Sequence, residues 1–143
     1  MQTLAADVVL RSPIVDVPFD GYEEASALYS VILEIFTDVE YLAEGGDDAY
    51  VFAWRAKVRG ETLEGVDMMR FDESGQICEI TAFMRPLTGL AAFADAAGPR
   101  LARRLGGSAM ATRLAIPPSG LVMRLTARFA PRLLGLRRAR PGG

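Results

Sequence analysis

The chain has 143 residues, half of them hydrophobic, with one cysteine, no histidine and a formal net charge of −2. That is material for one domain with a real core. It excludes a histidine-based nucleophile relay, imidazole metal ligation and an internal disulfide. Acid–base work must therefore come from Asp, Glu, Tyr, Lys or Cys. Neither a GxGxxG turn before a helix nor a P-loop occurs, so nucleotide binding has no support; with no imidazole and one thiol no metal site is expected either, and no cofactor is expected. No run of about 18 apolar residues is present, the first residues lack the basic-then-apolar pattern of a secretory signal, and the lone Cys78 fits a reducing, cytoplasmic setting. The small net charge hides a split. All 18 acids lie at or before Asp95, and ten arginines with no acid follow, so the first 95 residues carry −12 and the remainder +10. Such asymmetry marks a body and a tail with separate tasks.

In chain order, Asp7 to Ser12 alternates as a strand, with Val8, Leu10 and Ser12 on one face, and Pro13 imposes an edge or a bend. Asp20 followed by Glu23 is a capping-box pattern. Ala25, Leu28, Tyr29, Ile32, Ile35 and Phe36 then recur at helical spacing, which predicts a helix over 21–37. Four strands follow, separated by turn signals: Val39 to Ala43; Tyr50 to Val58, with Tyr50, Phe52, Trp54 and Ala56 on one face; a strand through Asp67; and Gln76 to Arg85, with Cys78, Ile80, Ala82 and Met84 inward. Cys78 is expected as a small buried hydrophobe, and Arg85 as a surface ion-pair partner. A helix is predicted over Leu90 to Ala97, with Pro99 starting another. Strand, helix, antiparallel meander and helix give an α+β domain, a curved sheet with helices on one face.

Asp67 stands out in this pattern. By strand parity it shares a face with Leu63, Gly65, Met69 and Phe71, none of them with a polar side chain. A carboxyl group in such company is paired, neutral or used. As a structural group it would be satisfied by a backbone amide or a tyrosine such as Tyr29 or Tyr41. As a functional group it would mark an apolar pocket for a small hydrophobic, cyclic or aromatic molecule.

Three blocks carry a resemblance: Ala6-Asp7-Val8-Val9 before Ser12-Pro13 and Pro18-Phe19-Asp20-Gly21; Gly65 to Asp72; and Gly75-Gln76-Ile77 with Phe83 to Leu87. Together they resemble the SnoaL-like proteins of the nuclear-transport-factor-2-like superfamily, over roughly residues 4–105. The resemblance implies a cone-shaped α+β fold and chemistry of the kind seen in ketosteroid isomerases, polyketide cyclases and limonene-epoxide hydrolases. By that resemblance Asp67 matches the acid that ketosteroid isomerases keep protonated; the handling of such a neutral acid in those enzymes is well described. Their general base falls at Ser12, a hydroxyl here, and the arginine of the epoxide hydrolases falls at Gly65. Members of the fold begin with two helices, whereas about six residues precede the first strand here.

These readings predict a domain over 1–105 and an Arg-rich, partly helical extension over 106–143. The pocket is expected from Ser12, Leu28, Tyr50, Phe52, Trp54, Asp67, Met69, Ala82 and Met84, with Asp67 as proton donor or base. One alternative is a non-catalytic ligand-binding or dimerisation module; another is a surface protein whose tail is the active part. A homodimer is expected through Val51, Ala53, Val66, Met68 and Phe83, which point away from the pocket. In the extension, Arg124, Arg128 and Arg132 fall opposite Leu121, Val122, Leu125 and Phe129. This segment is expected to close the mouth of the cone, ahead of an anionic membrane surface. No nucleic-acid partner is expected.

Overall fold

The computed structural model describes residues 3–107. The predicted extension and its lid or membrane role lie outside the described residues. Within them the chain runs β1 (Leu4–Arg11), β2 (Phe19–Asp20), α1 (Gly21–Ile35), β3 (Thr37–Gly45), β4 (Tyr50–Val58), β5 (Glu61–Phe71), β6 (Ile77–Arg85) and α2 (Leu87–Arg104). The strands form one curved, unclosed sheet in the order β2-β1-β6-β5-β4-β3. β3 to β6 are the expected antiparallel meander, but β1 pairs with β6 in parallel. The sheet is therefore mixed rather than antiparallel throughout. The reason is topological: α1 carries the chain across the sheet face between β1 and the meander, as a parallel pairing requires.

Both helices pack on one face. Val8 and Leu10 of β1, Trp54, Ala56 and Val58 of β4, Leu63 of β5 and Ile80 of β6 meet Ala25, Leu28 and Val31 of α1 and Phe93, Ala96 and Ala97 of α2 in one buried cluster. The alternation of these strands supplies an apolar layer on the helix-bearing side and a mixed charged and apolar one on the other. On the other side, Arg55 pairs with Glu64 at 2.9 Å and Lys57 with Asp38 at 2.8 Å. Arg85 lies 3.7 Å from Glu64, the surface pairing expected of it. The close seating of α2 depends on Gly89, where a Cβ would stand 2.4 Å from the Thr62 carbonyl oxygen.

Four local expectations are corrected. At the start of α1, Glu24 rather than Glu23 accepts from the Asp20 N–H, at 2.9 Å, and the Asp20 side chain makes no capping bond. The helix turns its acid back one residue later than a capping box would. α2 is one helix through Pro99 rather than two. Burial of Phe93, Ala96, Ala97 and Pro99 outweighs the missing N–H, and Arg100 Nη1 donates to the Ala96 carbonyl at 2.8 Å. Cys78 is only half-buried, and its Sγ lies 3.5 Å from the Arg70 carbonyl. A register shift between Arg70 and Phe71 puts Ile77 in the core in its place. Finally, β3 is a nine-residue strand rather than a short one, and it is exposed along its whole length. No described helix is long and apolar enough to cross a membrane.

Candidate functional site

The space between α1, α2 and the sheet is not filled. A cavity of about 300 Å³ remains there, walled by Leu10, Leu28, Ile32, Phe36, Met69 and Phe93 and several further side chains. It opens between the C-terminal half of α1 and β3, where Leu33 is 81 %, Val39 50 % and Tyr41 72 % exposed. The sheet supplies the floor in register: Phe52 of β4, Asp67 of β5 and Ala82 of β6 lie side by side across three strands. The next row is Trp54, Gly65 and Met84.

Among the described residues Asp67 has one direct side-chain hydrogen-bond partner. Trp54 Nε1 donates to Asp67 Oδ2 at 2.9 Å. The two residues are diagonal neighbours on one face, within reach of a large side chain. The indole can lie against β5 because Gly65 has no side chain: a Cβ there would stand 2.2 Å from the Trp54 ring. The other side of the indole meets Phe36, ring centroids 5.1 Å apart, and Phe36 meets Phe93 at 5.7 Å. Trp54 is thus fixed by glycine, carboxylate and the Phe36 ring, and it is 5 % exposed.

The electrostatics follow from this packing. Burial raises the Asp67 carboxyl from 3.8 to about 6, and the Trp54 hydrogen bond opposes that rise. An indole N–H only donates, so it favours the ionised form. At pH 7 a group titrating near 6 is ionised by roughly ten to one. Tyr29 of α1 lines the same cavity. Its phenol is pushed well above the ordinary value, first by burial and second by the charge on Asp67.

Of the predicted pocket residues, Ser12, Leu28, Phe52, Trp54, Asp67, Met69, Ala82 and Met84 line this cavity. Tyr50 does not: it lies at the start of β4, and a hydrogen bond to Glu44 raises its pKa. Strand parity put it on the correct face, but the face extends beyond the cavity. Ser12 Oγ accepts from the Ile14 N–H at 3.2 Å at the end of β1. Tyr41 stands at the mouth against Phe52 rather than beside the acid. The carboxyl partner is Trp54, which sequence reasoning did not name. Its signal was available: a tryptophan two positions from the residue opposite an acid, with a glycine between them on the same face. Phe93 was missed because nothing in an alanine-rich helix tells which turn meets the sheet.

No family model matches the sequence, and no curated protein matches it. Solved structures do. A steroid delta-isomerase from Pseudomonas aeruginosa is 32% identical, with a TM-score of 0.62 over 72% of this chain and 74% of that one. A protein with a cystatin-like fold from Silicibacter pomeroyi is 26% identical, with a TM-score of 0.68 over 72% and 76%. A nuclear-transport-factor-2-like protein from Burkholderia xenovorans shares the fold at 17% identity and a TM-score of 0.51, over 57% and 63%. The chain belongs to the nuclear-transport-factor-2-like superfamily.

The raised Asp67 fixes the sign of a stability effect. Between 3.8 and about 6 the folded chain holds more protons than the unfolded one. Its contribution is therefore complete below 3.8 and is lost as pH rises through about 6. Asp67→Asn keeps an acceptor for Trp54 and removes the charge. Relative to the wild type it gains stability between pH 3.5 and pH 8, by up to about 3 kcal/mol at roughly 1.4 kcal/mol per pKa unit, as denaturant melts at the two pH values would show. In Gly65→Ala the indole cannot remain in place. The fluorescence of the single tryptophan shifts to the red, and its pH dependence near 6, present in the wild type through the contact with Asp67, disappears.

Proposed function

We propose that the chain binds a small, neutral, cyclic or aromatic molecule in this cavity and moves a proton beside its carbonyl group, with Asp67 as base. The carrying observation is one carboxyl group in a mostly apolar enclosure, raised by burial to about 6 against the opposing 2.9 Å bond from a donor-only N–H. A base titrating near the working pH is the efficient choice for abstraction from carbon. Among the described residues the cavity wall has no lysine or arginine, so an anionic ligand would meet Asp67 uncompensated. Similarity at 32% identity to a steroid delta-isomerase supports isomerase-type chemistry. This reading takes Asp67 as base rather than as the neutral donor that the resemblance implies, and the Trp54 bond, which stabilises charge, favours it.

A non-catalytic binding module uses the same cavity without turnover, and one assay separates the two. A neutral aromatic ketone, 2-acetylnaphthalene, is incubated with the protein in D₂O and its methyl group followed by mass spectrometry. Proton transfer predicts deuterium incorporation that rises with pH through about 6 and falls at least 100-fold in Asp67→Asn, the scale of general base catalysis. Binding with no incorporation above buffer would establish the binding module instead.

The cytoplasmic setting rests on the single cysteine. The homodimer reading is favoured by Phe83, 56 % exposed, beside Val51 and Val66 on the sheet face away from both helices. Light scattering at micromolar concentration should give twice the 15.5 kDa chain mass, and Phe83→Glu should halve it; a wild-type monomer would remove the dimer reading.

A further inference from the structure

The mouth of the cavity has a rim that the described residues leave bare. Leu33 of α1 and Val39 and Tyr41 of β3 line the cavity, and all three are exposed. The apolar lining therefore continues out onto the surface, the mark of a surface that something covers. The strand that carries half of this rim is acidic. Asp38, Glu40 and Glu44 of β3, with Asp47 and Asp48 in the turn after it, put five acids and no base into residues 37–49. Lys57 pairs with Asp38 and Arg55 with Glu40, whereas Glu44, Asp47 and Asp48 form no ion pair among the described residues. What fits such a rim is an apolar segment flanked by positive charge.

The chain carries a segment of that kind. Residues 108–143, outside the described part, hold seven arginines and no acid, against 18 acids and nine bases in residues 3–107. Within them Leu121, Val122, Leu125 and Phe129 recur at helical spacing, with Arg124 and Arg128 to one side. The chain also leaves the described part near the rim. α2 stops in a glycine turn, with Gly106 at φ 75° and the Gly107 N–H donating to the Ala102 carbonyl at 2.6 Å. Its last turns are tied to α1: Arg104 donates to Glu34, and Arg100 Nε lies 4.0 Å from the same carboxylate. Glu34 is the residue after Leu33. About 14 residues separate Gly107 from Leu121, and extended they span roughly 45 Å. That is ample for a domain of this size, whose radius of gyration is about 13 Å.

We propose that residues 119–130 of the same chain dock on the rim formed by Leu33, Val39 and Tyr41 and cover the cavity, with Arg124 and Arg128 beside the acids of β3. Covering of the mouth is independent of whether the bound molecule reacts. A tethered segment meets the rim at an effective concentration on the order of millimolar, so a modest apolar contact suffices to hold it. An anionic lipid surface would meet the acids of β3 as like charge, and so would the rim of a second copy.

The test uses the full chain with Cys78→Ser, which removes the native thiol, and Leu33→Cys, which places one at the rim. Leu33 is exposed, so the core is undisturbed. A benzophenone maleimide is attached, the protein is irradiated in a mixture of plain and isotope-labelled chains, and the cross-linked peptides are mapped by mass spectrometry. Tyr41→Cys gives a second rim position, and Phe83→Cys puts the same probe on the sheet face away from the helices. The expected result is capture of residues 119–130 within one chain from positions 33 and 41 but not from 83. Capture falls about tenfold or more in Leu125→Asp/Phe129→Asp, the scale of losing two buried apolar side chains. It is unchanged in Leu133→Asp/Leu136→Asp, which adds the same charge outside the segment. Capture of other residues, or equal capture from position 83, overturns the proposal. Cross-links joining plain to labelled chains overturn it in favour of a second copy. Absence of rim capture also overturns it, and flotation of the wild type on vesicles of equimolar phosphatidylcholine and phosphatidylglycerol would then assign the segment to a membrane surface.

Discussion

The hydrogen bond from Trp54 Nε1 to Asp67 Oδ2 is the contact on which the site's chemistry depends. It requires the indole to pack against Gly65, which in turn requires that residue 65 have no Cβ. Three positions on two strands are therefore one unit: Gly65 makes room, Trp54 fills it, and Asp67 receives the N–H. Without the tryptophan donor, burial alone would act on the carboxyl group and push its pKa higher still. The carboxylate is thus expensive to keep charged, and the donor recovers part of that cost. The balance puts the group near the neutral range, where a base is useful.

The same unit explains why an open cavity can persist beside a packed core. Trp54 belongs both to the buried cluster and to the cavity wall. Phe36 braces it, itself backed by Phe93 of α2, so the wall does not collapse inward. The mixed sheet has a related role. Parallel pairing of β1 with β6, which sets Arg11 opposite Thr81, brings Ser12 at the end of β1 to the cavity that Ala82 and Met84 also line, while α1 delivers Leu28 and Tyr29. The ion pairs on the opposite face, such as Arg55 with Glu64, are exposed and contribute little to stability. Their effect is to keep charge away from the helix-bearing side.

Much of this was legible beforehand because it follows from a period of two. Alternation placed Phe52, Trp54 and Asp67 on one face, and β4 has the bounds that its pattern predicts. The misreadings occur where that period breaks or where a partner lies far away in sequence. A bulge at Arg70/Phe71 exchanged Cys78 for Ile77 in the core. Packing carried α2 through Pro99. Tyr50, on the correct face, fell outside the cavity because parity gives a side but not an extent.

What the sequence determined by itself is the set of available groups: no imidazole, one thiol, and one acid on an apolar strand face. Backbone alternation and side-chain chemistry are local properties, so they can be read locally. Only the tertiary structure decided what that acid is. Residues 54 and 67 are brought into contact by strand pairing, and the donor-only indole then offsets part of the rise that burial imposes on the carboxyl group. Desolvation and hydrogen bonding depend on what surrounds a group in space, and that neighbourhood exists only after the chain has folded.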